Sequence, residues 1–233
     1  TTIQLNYASF INLVPKNIKV IHANNVNEIE FIKKIKRMNT NYAFLMGCPQ
    51  IFKTDLINCF DNVVNYHNSF LPNFRGLNAT AWAMTYEEKY TGFTFHFINE
   101  NIDDGNIILQ ERLELDYSKS AYQNGLVKTK KAEKKMKELL KLVFEDFEGY
   151  PQLDNKSYFG QKQKKELLTY KQIEDAMLIR RLIFIWGSIE LTKNGETLVI
   201  TKITSNGKIK RIKWMPPKIY GLFRFFYKRL QLN

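Results

Sequence analysis

The sequence contains few cysteines and no long apolar run. Of its 233 residues only Cys48 and Cys59 are cysteines, and they do not form a Cys-x-x-Cys pair. A disulfide framework, a structural zinc site and a redox pair are therefore not expected. No apolar run approaches the length that crosses a bilayer, and the first residues do not resemble a secretory signal. We expect a globular, cytoplasmic protein with one main domain and no bound metal.

Acidic residues are scarce in the C-terminal part. The chain has 35 Lys and Arg against 23 Asp and Glu, a net charge of +12, and no acidic residue follows Glu196. A surface this basic favours an anionic partner. Nucleic acid, acidic lipid and a phosphorylated small molecule all fit, so charge does not choose among them.

Helical and strand signals alternate in the first half, as they do in a doubly wound α/β domain. Helices are predicted over "NVNEIEFIKKIKRM" and "NATAWAMTYEE". Strands are predicted over "NIKVIHA", "NYAFLMG", "VVNYHNS", "TGFTFHFI" and "NIILQERLEL", the last two as partners.

A long amphipathic helix is predicted after these strands. Its apolar residues lie at helical spacing and include Tyr122, Leu126, Leu139 and Val143. The lysines from Lys128 to Lys141 are interpreted as the solvated face of this helix, without a functional role.

The rest of the chain is predicted to be a linker and a small β element. Residues 1–150 form the predicted core, 151–187 a linker and a helix, and 188–233 a β-hairpin region with a basic tail. Asn194-Gly195 and Asn206-Gly207 each separate two alternating segments. Asn-Gly favours tight hairpin turns, because both central residues of such a turn need positive φ.

The segment "NYHNSFLPNFRG" contains the first candidate site residues. Asn65 and His67 are two positions apart at the end of a predicted strand, so their side chains share one face. An amide beside an imidazole can hold negative charge on a carbonyl oxygen while the imidazole moves a proton. A carboxylate partner is expected in "NENIDDGN", and spacing does not decide between Asp103 and Asp104. His96 is expected to be structural or partly exposed.

Together these segments resemble the folate-dependent formyltransferases. Members of that family carry Asn-x-His-x-Ser-x-Leu-Pro, then a strand with Gly-x-Thr, then a hydrophobic-Asp-x-Gly loop, and all three occur here in order. The resemblance implies a Rossmann-like doubly wound core and a small C-terminal β-hairpin or meander. It assigns the catalytic roles to Asn65, His67 and Asp103.

The resemblance also implies the formyl donor, N10-formyltetrahydrofolate, and no metal. "LMGCPQIF" would place Gly47, Gln50 and Phe52 near the pterin, and the loop from Asn99 to Asp103 would cover its other side. The Leu-Pro-x-x-Arg-Gly stretch would shape the acceptor side. The residues expected to bind acceptor are Ser69, Arg75 and Gly76.

Sugar-nucleotide N-formyltransferases resemble the chain most in organisation. The expected acceptor is a nucleotide-linked amino-dideoxy sugar, such as dTDP-4-amino-4,6-dideoxyglucose, used for surface polysaccharide. A methionyl-tRNA formyltransferase-like enzyme is the alternative, although the segment after about Thr169 is short for a tRNA-binding barrel. A non-catalytic RNA-binding relative is a further alternative, and nucleic acid is otherwise not an expected partner.

Two expectations concern the ends of the chain. We expect a homodimer through the C-terminal β region, with the tail "KIYGLFRFFYKRLQLN" either packed on protein or lying at a membrane surface. The short segment before "NIKVIHA" implies either an abbreviated first βα unit or residues that precede Thr1.

Overall fold

The computed structural model describes residues 23–153, 157–170, 174–193, 196–203 and 208–214, together with Asn17, Ile21 and Gln172. They belong to two compact units, one formed by Asn25–Leu167 and one that contains the described residues from Leu168 onward. Most of the predicted strand "NIKVIHA", both Asn-Gly pairs and the basic tail lie outside the described residues.

The first unit alternates helices and strands. Its elements are α1 (Ile29–Met38), β1 (Tyr42–Leu45), α2 (Thr54–Ile57), β2 (Asn62–His67), β3 (Arg75–Gly76), α3 (Ala79–Thr85), β4 (Tyr90–Phe97), β5 (Ile107–Glu114), α4 (Ala121–Lys134), α5 (Met136–Phe144), β6 (Tyr158–Phe159) and α6 (Gln161–Leu168).

The main sheet of this unit mixes parallel and antiparallel strands. Its order among the described residues is β1-β2-β4-β5. β1 runs parallel to β2, whereas β4 is antiparallel to both β2 and β5. The predicted α/β class is confirmed, and so is the pairing of the two strands that precede the long helix.

The two faces of β4 differ in chemistry. Phe93 and Phe95 are fully buried on one face, and they form a core with Val64 of β2, Leu139 and Val143. Because side chains alternate along a strand, Thr94 and His96 point to the other face. They pair in register with His67 and Asn65 of β2. One face of the sheet therefore makes the core, and the other carries the candidate site.

The predicted long helix is interrupted; its inner face is confirmed in α5, where Leu139 and Val143 are buried, and was predicted wrongly in α4. α4 ends at Lys134 and α5 begins at Met136. In α4, Tyr122 and Leu126 are exposed, whereas Lys128 is buried. The reason is close packing, since a Cβ at Gly125 would lie 3.2 Å from Nδ2 of Asn68. Small and polar residues line this inner face in place of large apolar ones.

Residues predicted to be a linker contribute to the first unit. β6 pairs in parallel with β3, so that Tyr158 and Phe159 lie opposite Arg75 and Gly76. The ring of Phe159 stacks on Trp82 with a centroid distance of 4.5 Å. This unit therefore extends past residue 150.

The second unit is built on a small sheet. Its elements are β7 (Thr169–Tyr170), α7 (Ala176–Trp186), β8 (Ile189–Lys193), β9 (Glu196–Ile203) and β10 (Ile209–Trp214). The strands have the order β10-β9-β8-β7. β8, β9 and β10 pair antiparallel in sequence, as the predicted meander requires, whereas β7 runs parallel to β8. α7 buries Ile179, Leu182 and Ile185. Within the described residues, no helix has the length and hydrophobicity needed to span a membrane.

Truncation of a core residue should show how much the core between the main sheet and its helices contributes to the stability of the first unit. Leu139 is fully buried against the phenylalanines of β4. We expect Leu139→Ala to lower the free energy of unfolding by roughly 2–5 kcal/mol, because it removes apolar contact and leaves a cavity. Urea unfolding followed by circular dichroism measures this. The exposed neighbour Lys137→Ala should change it by less than about 0.5 kcal/mol, and equal effects of the two substitutions would contradict the assigned core.

Candidate active site

Asn65 and His67 lie at the carboxyl end of β2. Leu45, the last residue of the parallel strand β1, is in register with Asn65. In open α/β sheets this edge is where ligands bind. His67 is buried and Asn65 is partly buried, so both polar side chains lie largely below the protein surface at this edge of the sheet.

The third candidate, Asp103, reaches the same place from a tight loop after β4. Its φ is +50°, in the left-handed region. Two residues later, a Cβ at Gly105 would lie 1.9 Å from the carbonyl oxygen of Phe97, so a residue with a side chain cannot take this path. The glycine lets the loop fold back on the end of the strand and bring the carboxylate toward β2.

The three residues predicted to be catalytic are in contact. Oδ2 of Asp103 lies 3.3 Å from Nδ1 of His67, and its Oδ1 accepts from Nδ2 of Asn65 at 3.3 Å. The backbone N–H of Gly76 donates to Oδ2 of Asp103 at 2.8 Å. The structure thus places Asp103, and not Asp104, beside His67.

Opposing effects act on the protonation of His67. Burial lowers the pKa of the imidazole, while the Asp103 carboxylate and the carbonyl of Phe74 raise it. Nε2 lies 2.9 Å from that carbonyl oxygen, which can only accept. Because Nδ1 faces a carboxylate, both ring nitrogens face acceptors. The groups bonded to the ring favour imidazolium, but burial outweighs them, so the pKa of His67 is lowered below its usual value.

The carboxylate of Asp103 is held in its ionised form. Burial raises its pKa, but the hydrogen bond from His96, the charges of His67 and His96, and the N–H of Gly76 together lower it to about 2. Asp103 is therefore an anion at neutral pH, placed to orient an imidazole and to accept a proton.

His96, which was expected to be structural or partly exposed, is buried and belongs to this cluster. It is only 1% exposed. Its Nδ1 donates to the carbonyl of Phe97 at 2.7 Å, and its Nε2 lies 3.1 Å from Nδ2 of Asn65 and 3.5 Å from Oδ1 of Asp103. The signal available in the sequence was alternation, since His96 lies on the face of β4 opposite the phenylalanines.

Asp104 has a different partner. Arg75 is buried, and its Nη2 donates to Oδ1 of Asp104 and, at 2.7 Å, to Oε1 of Gln152. The amide of Gln152 donates to the carbonyl oxygens of Asp103 and Gly105 at 3.0 and 2.8 Å. No pattern in the sequence indicated Gln152, which holds the loop in place through these hydrogen bonds.

The residues expected to bind acceptor help to build the loop after β2. Oγ of Ser69 donates to the carbonyl of Asn73 at 2.6 Å. Gly76 has φ of +88°, and a Cβ there would lie 2.5 Å from the carbonyl oxygen of Phe159. Arg75 is held by Asp104 as described. Direct contact of Ser69, Arg75 and Gly76 with a substrate stays a prediction.

The residues expected near a pterin lie around the end of β1. Gly47 and Phe52 line an apolar cavity of about 340 Å³, whereas Oε1 of Gln50 accepts from the backbone N–H of Val26 at 2.9 Å. Asn99 is exposed, and in the same loop Glu100 accepts from Thr54 of α2 at 3.0 Å. This contact ties the loop to α2, the helix that begins two residues after Phe52.

The described residues contain no group of three or more His, Cys, Asp or Glu side chains arranged to hold a metal ion.

Comparison with known protein families identifies the family of the chain. Residues 7–140 match the family described as formyl transferase, and this range contains all three candidate catalytic residues. The chain belongs to the formyl transferase family.

Among curated relatives, this formyl transferase is similar to GDP-perosamine N-formyltransferase of Brucella melitensis biotype 1. The two are 33% identical over 99 residues, which cover 42% of this chain and 38% of that protein. It is also 33% identical over 87 residues to methionyl-tRNA formyltransferase of Thermodesulfovibrio yellowstonii, covering 37% of this chain and 28% of that protein. The chain thus matches well under half the length of these relatives.

A solved structure extends the likeness over most of the fold. A sugar N-formyltransferase from Shewanella sp has a TM-score of 0.66 at 21% identity, and the alignment covers 88% of this chain and 82% of that one. At this identity the likeness shows a shared formyltransferase fold and not a shared substrate.

Acid unfolding should report the ionised state of Asp103. Its pKa is lowered from 3.8 to about 2, so the carboxylate contributes stability above about pH 4 that is lost as the pH falls toward 2. By linkage this amounts to about 2 kcal/mol. We expect the free energy of unfolding of the unchanged protein to fall by about that much more than that of Asp103→Asn between pH 4 and 2. Parallel pH profiles from urea titrations would contradict the assignment.

Proposed function

We propose that the protein is an N-formyltransferase that moves a formyl group from N10-formyltetrahydrofolate to the primary amine of a nucleotide-linked amino sugar. The observation that carries the proposal is the buried contact of Asp103 with both His67 and Asn65 at the carboxyl edge of β2. This arrangement combines a proton-transfer group with donors for developing negative charge, which formyl transfer to an amine requires.

Each residue of the cluster has a proposed role. Attack of an amine on a formyl carbon places negative charge on the formyl oxygen. Nδ2 of Asn65 and a protonated His67 stabilise that charge by donating hydrogen bonds. Asp103 holds the imidazole, favours its cation, and takes the amine proton directly or through water.

The proposed donor fits the residues around β1. Folate supplies an activated formyl group, and its flat ring system needs an apolar slot. The cavity lined by Gly47 and Phe52 is apolar, and a hydrogen bond from Thr54 of α2 to Glu100 ties the loop after β4 to the segment that follows Phe52. We propose that these segments hold the pterin and that no metal takes part.

The nature of the acceptor is supported by charge and by organisation. The net charge of +12 suits a diphosphate-linked sugar. The matched GDP-perosamine N-formyltransferase carries a sugar nucleotide in its name, and the Shewanella structure is a sugar N-formyltransferase. Within this class we propose dTDP-4-amino-4,6-dideoxyglucose, used in the cytoplasm for surface polysaccharide such as O-antigen.

Methionyl-tRNA formylation is the second candidate. It is favoured by the 33% identity to methionyl-tRNA formyltransferase of Thermodesulfovibrio yellowstonii and by the basic surface. The two candidates use the same three residues on the same formyl group, so they differ only in the molecule that brings the amine.

Turnover assays separate these candidates. We expect release of tetrahydrofolate from N10-formyltetrahydrofolate with one 3- or 4-amino sugar nucleotide of a panel, and none without acceptor. Asn65→Ala and His67→Asn should each lower kcat by about 100- to 1,000-fold, because each removes a donor to the formyl oxygen. Asn58→Ala, an exposed change at the end of α2, serves as the matched control.

Each other outcome has a definite meaning. Turnover with methionyl-tRNA and with no sugar would transfer the assignment to the second candidate. Salt-dependent RNA binding without turnover of any acceptor would favour a non-catalytic RNA-binding relative. Full activity of both variants would exclude the proposed mechanism.

We also propose a homodimer through the C-terminal sheet. β10 is an edge strand among the described residues, and an edge strand presents unpaired backbone groups to a partner. We expect sedimentation equilibrium at micromolar concentration to give the mass of two chains. A mass of 27.5 kDa, that of one chain, would contradict the proposal.

A further inference from the structure

Lys128 of α4 is a buried cation without an acidic partner. Its residue exposure is 1%, which is rare for lysine unless the ammonium is paired. No carboxylate of the described residues lies within 4.0 Å of its nitrogen. Burial lowers its pKa to about 7, so holding the charge there is costly. If only packing mattered, methionine could fill the same space, because it has a similar length and no charge to desolvate.

The ammonium uses all three of its donors. Nζ donates to the carbonyl oxygen of Asn68 at 2.8 Å, to Oγ1 of Thr80 at 2.7 Å and to Oγ1 of Thr91 at 3.0 Å. A lysine ammonium has three N–H donors and no acceptor, so the group is fully satisfied. The three acceptors belong to the loop after β2, to α3 and to β4, which one atom thereby joins.

The first of these bonds is adjacent to the catalytic candidate. The carbonyl belongs to Asn68, the residue next to His67, so fixing it limits rotation of the backbone beside the imidazole. Thr94 holds the next turn of the same loop, donating to the carbonyl of Ser69 at 2.8 Å. Where this loop ends, the carbonyl oxygen of Phe74 forms a hydrogen bond with Nε2 of His67.

Lys128 also acts on His67 through its charge. The positive charge lowers the pKa of His67, in the same direction as burial and the charge of His96. Asp103 raises it and is the opposing charged group. The direct neighbours of the ammonium, a carbonyl and two threonine hydroxyls, do not titrate in this range, so substitution of Lys128 changes one charge near the imidazole.

We propose that Lys128 is a positioning residue for His67: by holding the Asn68 carbonyl against α3 and β4, its ammonium fixes the direction in which the imidazole faces Asp103. The inference rests on the proposed formyl transfer through His67. Lys128 does not contact the reacting atoms in this assignment, so its loss should lower kcat and leave the binding of acceptor nearly unchanged.

The test compares Lys128→Met with Lys131→Met. The second residue lies on the same helix with its side chain 50% exposed, and among the described residues its ion pair is with Glu111. We expect Lys128→Met to lower kcat at least tenfold with less than a threefold change in KM, and Lys131→Met to change neither. Lys128→Arg, which retains donors, should recover part of the lost kcat.

A nuclear magnetic resonance titration gives a readout independent of turnover. The ring nitrogens of ¹⁵N-labelled histidine are followed against pH, with His67 assigned from its absence in His67→Asn. Removing the Lys128 charge should raise the pKa of His67, while Lys131→Met should leave it unchanged. If the protein turns over no acceptor, this titration still tests the coupling, so failure of the proposed function and failure of this inference are distinguishable.

Two results would overturn the inference. One is an unchanged kcat together with an unchanged His67 pKa in folded Lys128→Met. The other is a loss of kcat that follows loss of folded protein in thermal unfolding and that Lys128→Arg does not reverse. Should Lys128→Met not fold, Thr91→Val removes one acceptor while leaving the charge in place. It should lower kcat by less than the tenfold expected for Lys128→Met, and an unaltered kcat in Thr91→Val would count against the proposal.

Discussion

The register between β2 and β4 is the constraint on which the rest of the site depends. Asn65 lies opposite His96 and His67 opposite Thr94, so four polar side chains share one face. A shift of one residue would turn that set toward the helices and expose the phenylalanines of β4. The register is therefore specified by the apolar face, because Phe93 and Phe95 must be buried together with Val64. The packing of the apolar face, which has no catalytic role, thus determines where the polar side chains of β2 and β4 come together.

The buried carboxylate of Asp103 shows how the loop after β4 tolerates a charge. A carboxylate removed from water needs donors to replace its hydration. Here a backbone N–H, an amide and two imidazoles surround it. The loop itself is held by Gln152 and by the ion pair of Arg75 with Asp104. The two adjacent acidic residues thus have different roles. Asp103 faces the site, and Asp104 stabilises the loop that carries Asp103.

Local pattern was sufficient for some features and not for others. Strand alternation placed Asn65 and His67 on one face without knowledge of the fold. The choice between Asp103 and Asp104 depends on a loop with positive φ and on close approach at Gly105, which spacing does not encode. His96 became part of the cluster only through pairing with a distant strand. The burial of Lys128 reflects the distance between α4 and the loop after β2, and hydrophobic periodicity pointed to a different face of that helix.

Gln152 and β6 also affect where the chain could be cut to give a catalytic fragment. The match to the formyl transferase family ends at residue 140, yet the amide that supports the Asp103 loop and the strand that pairs with Arg75 come later in the chain. A minimal catalytic fragment cut at the family boundary would retain all the reacting groups but lose the support behind them. Fragment design, domain exchange and comparison among relatives should therefore treat Asn25–Leu167 as one unit.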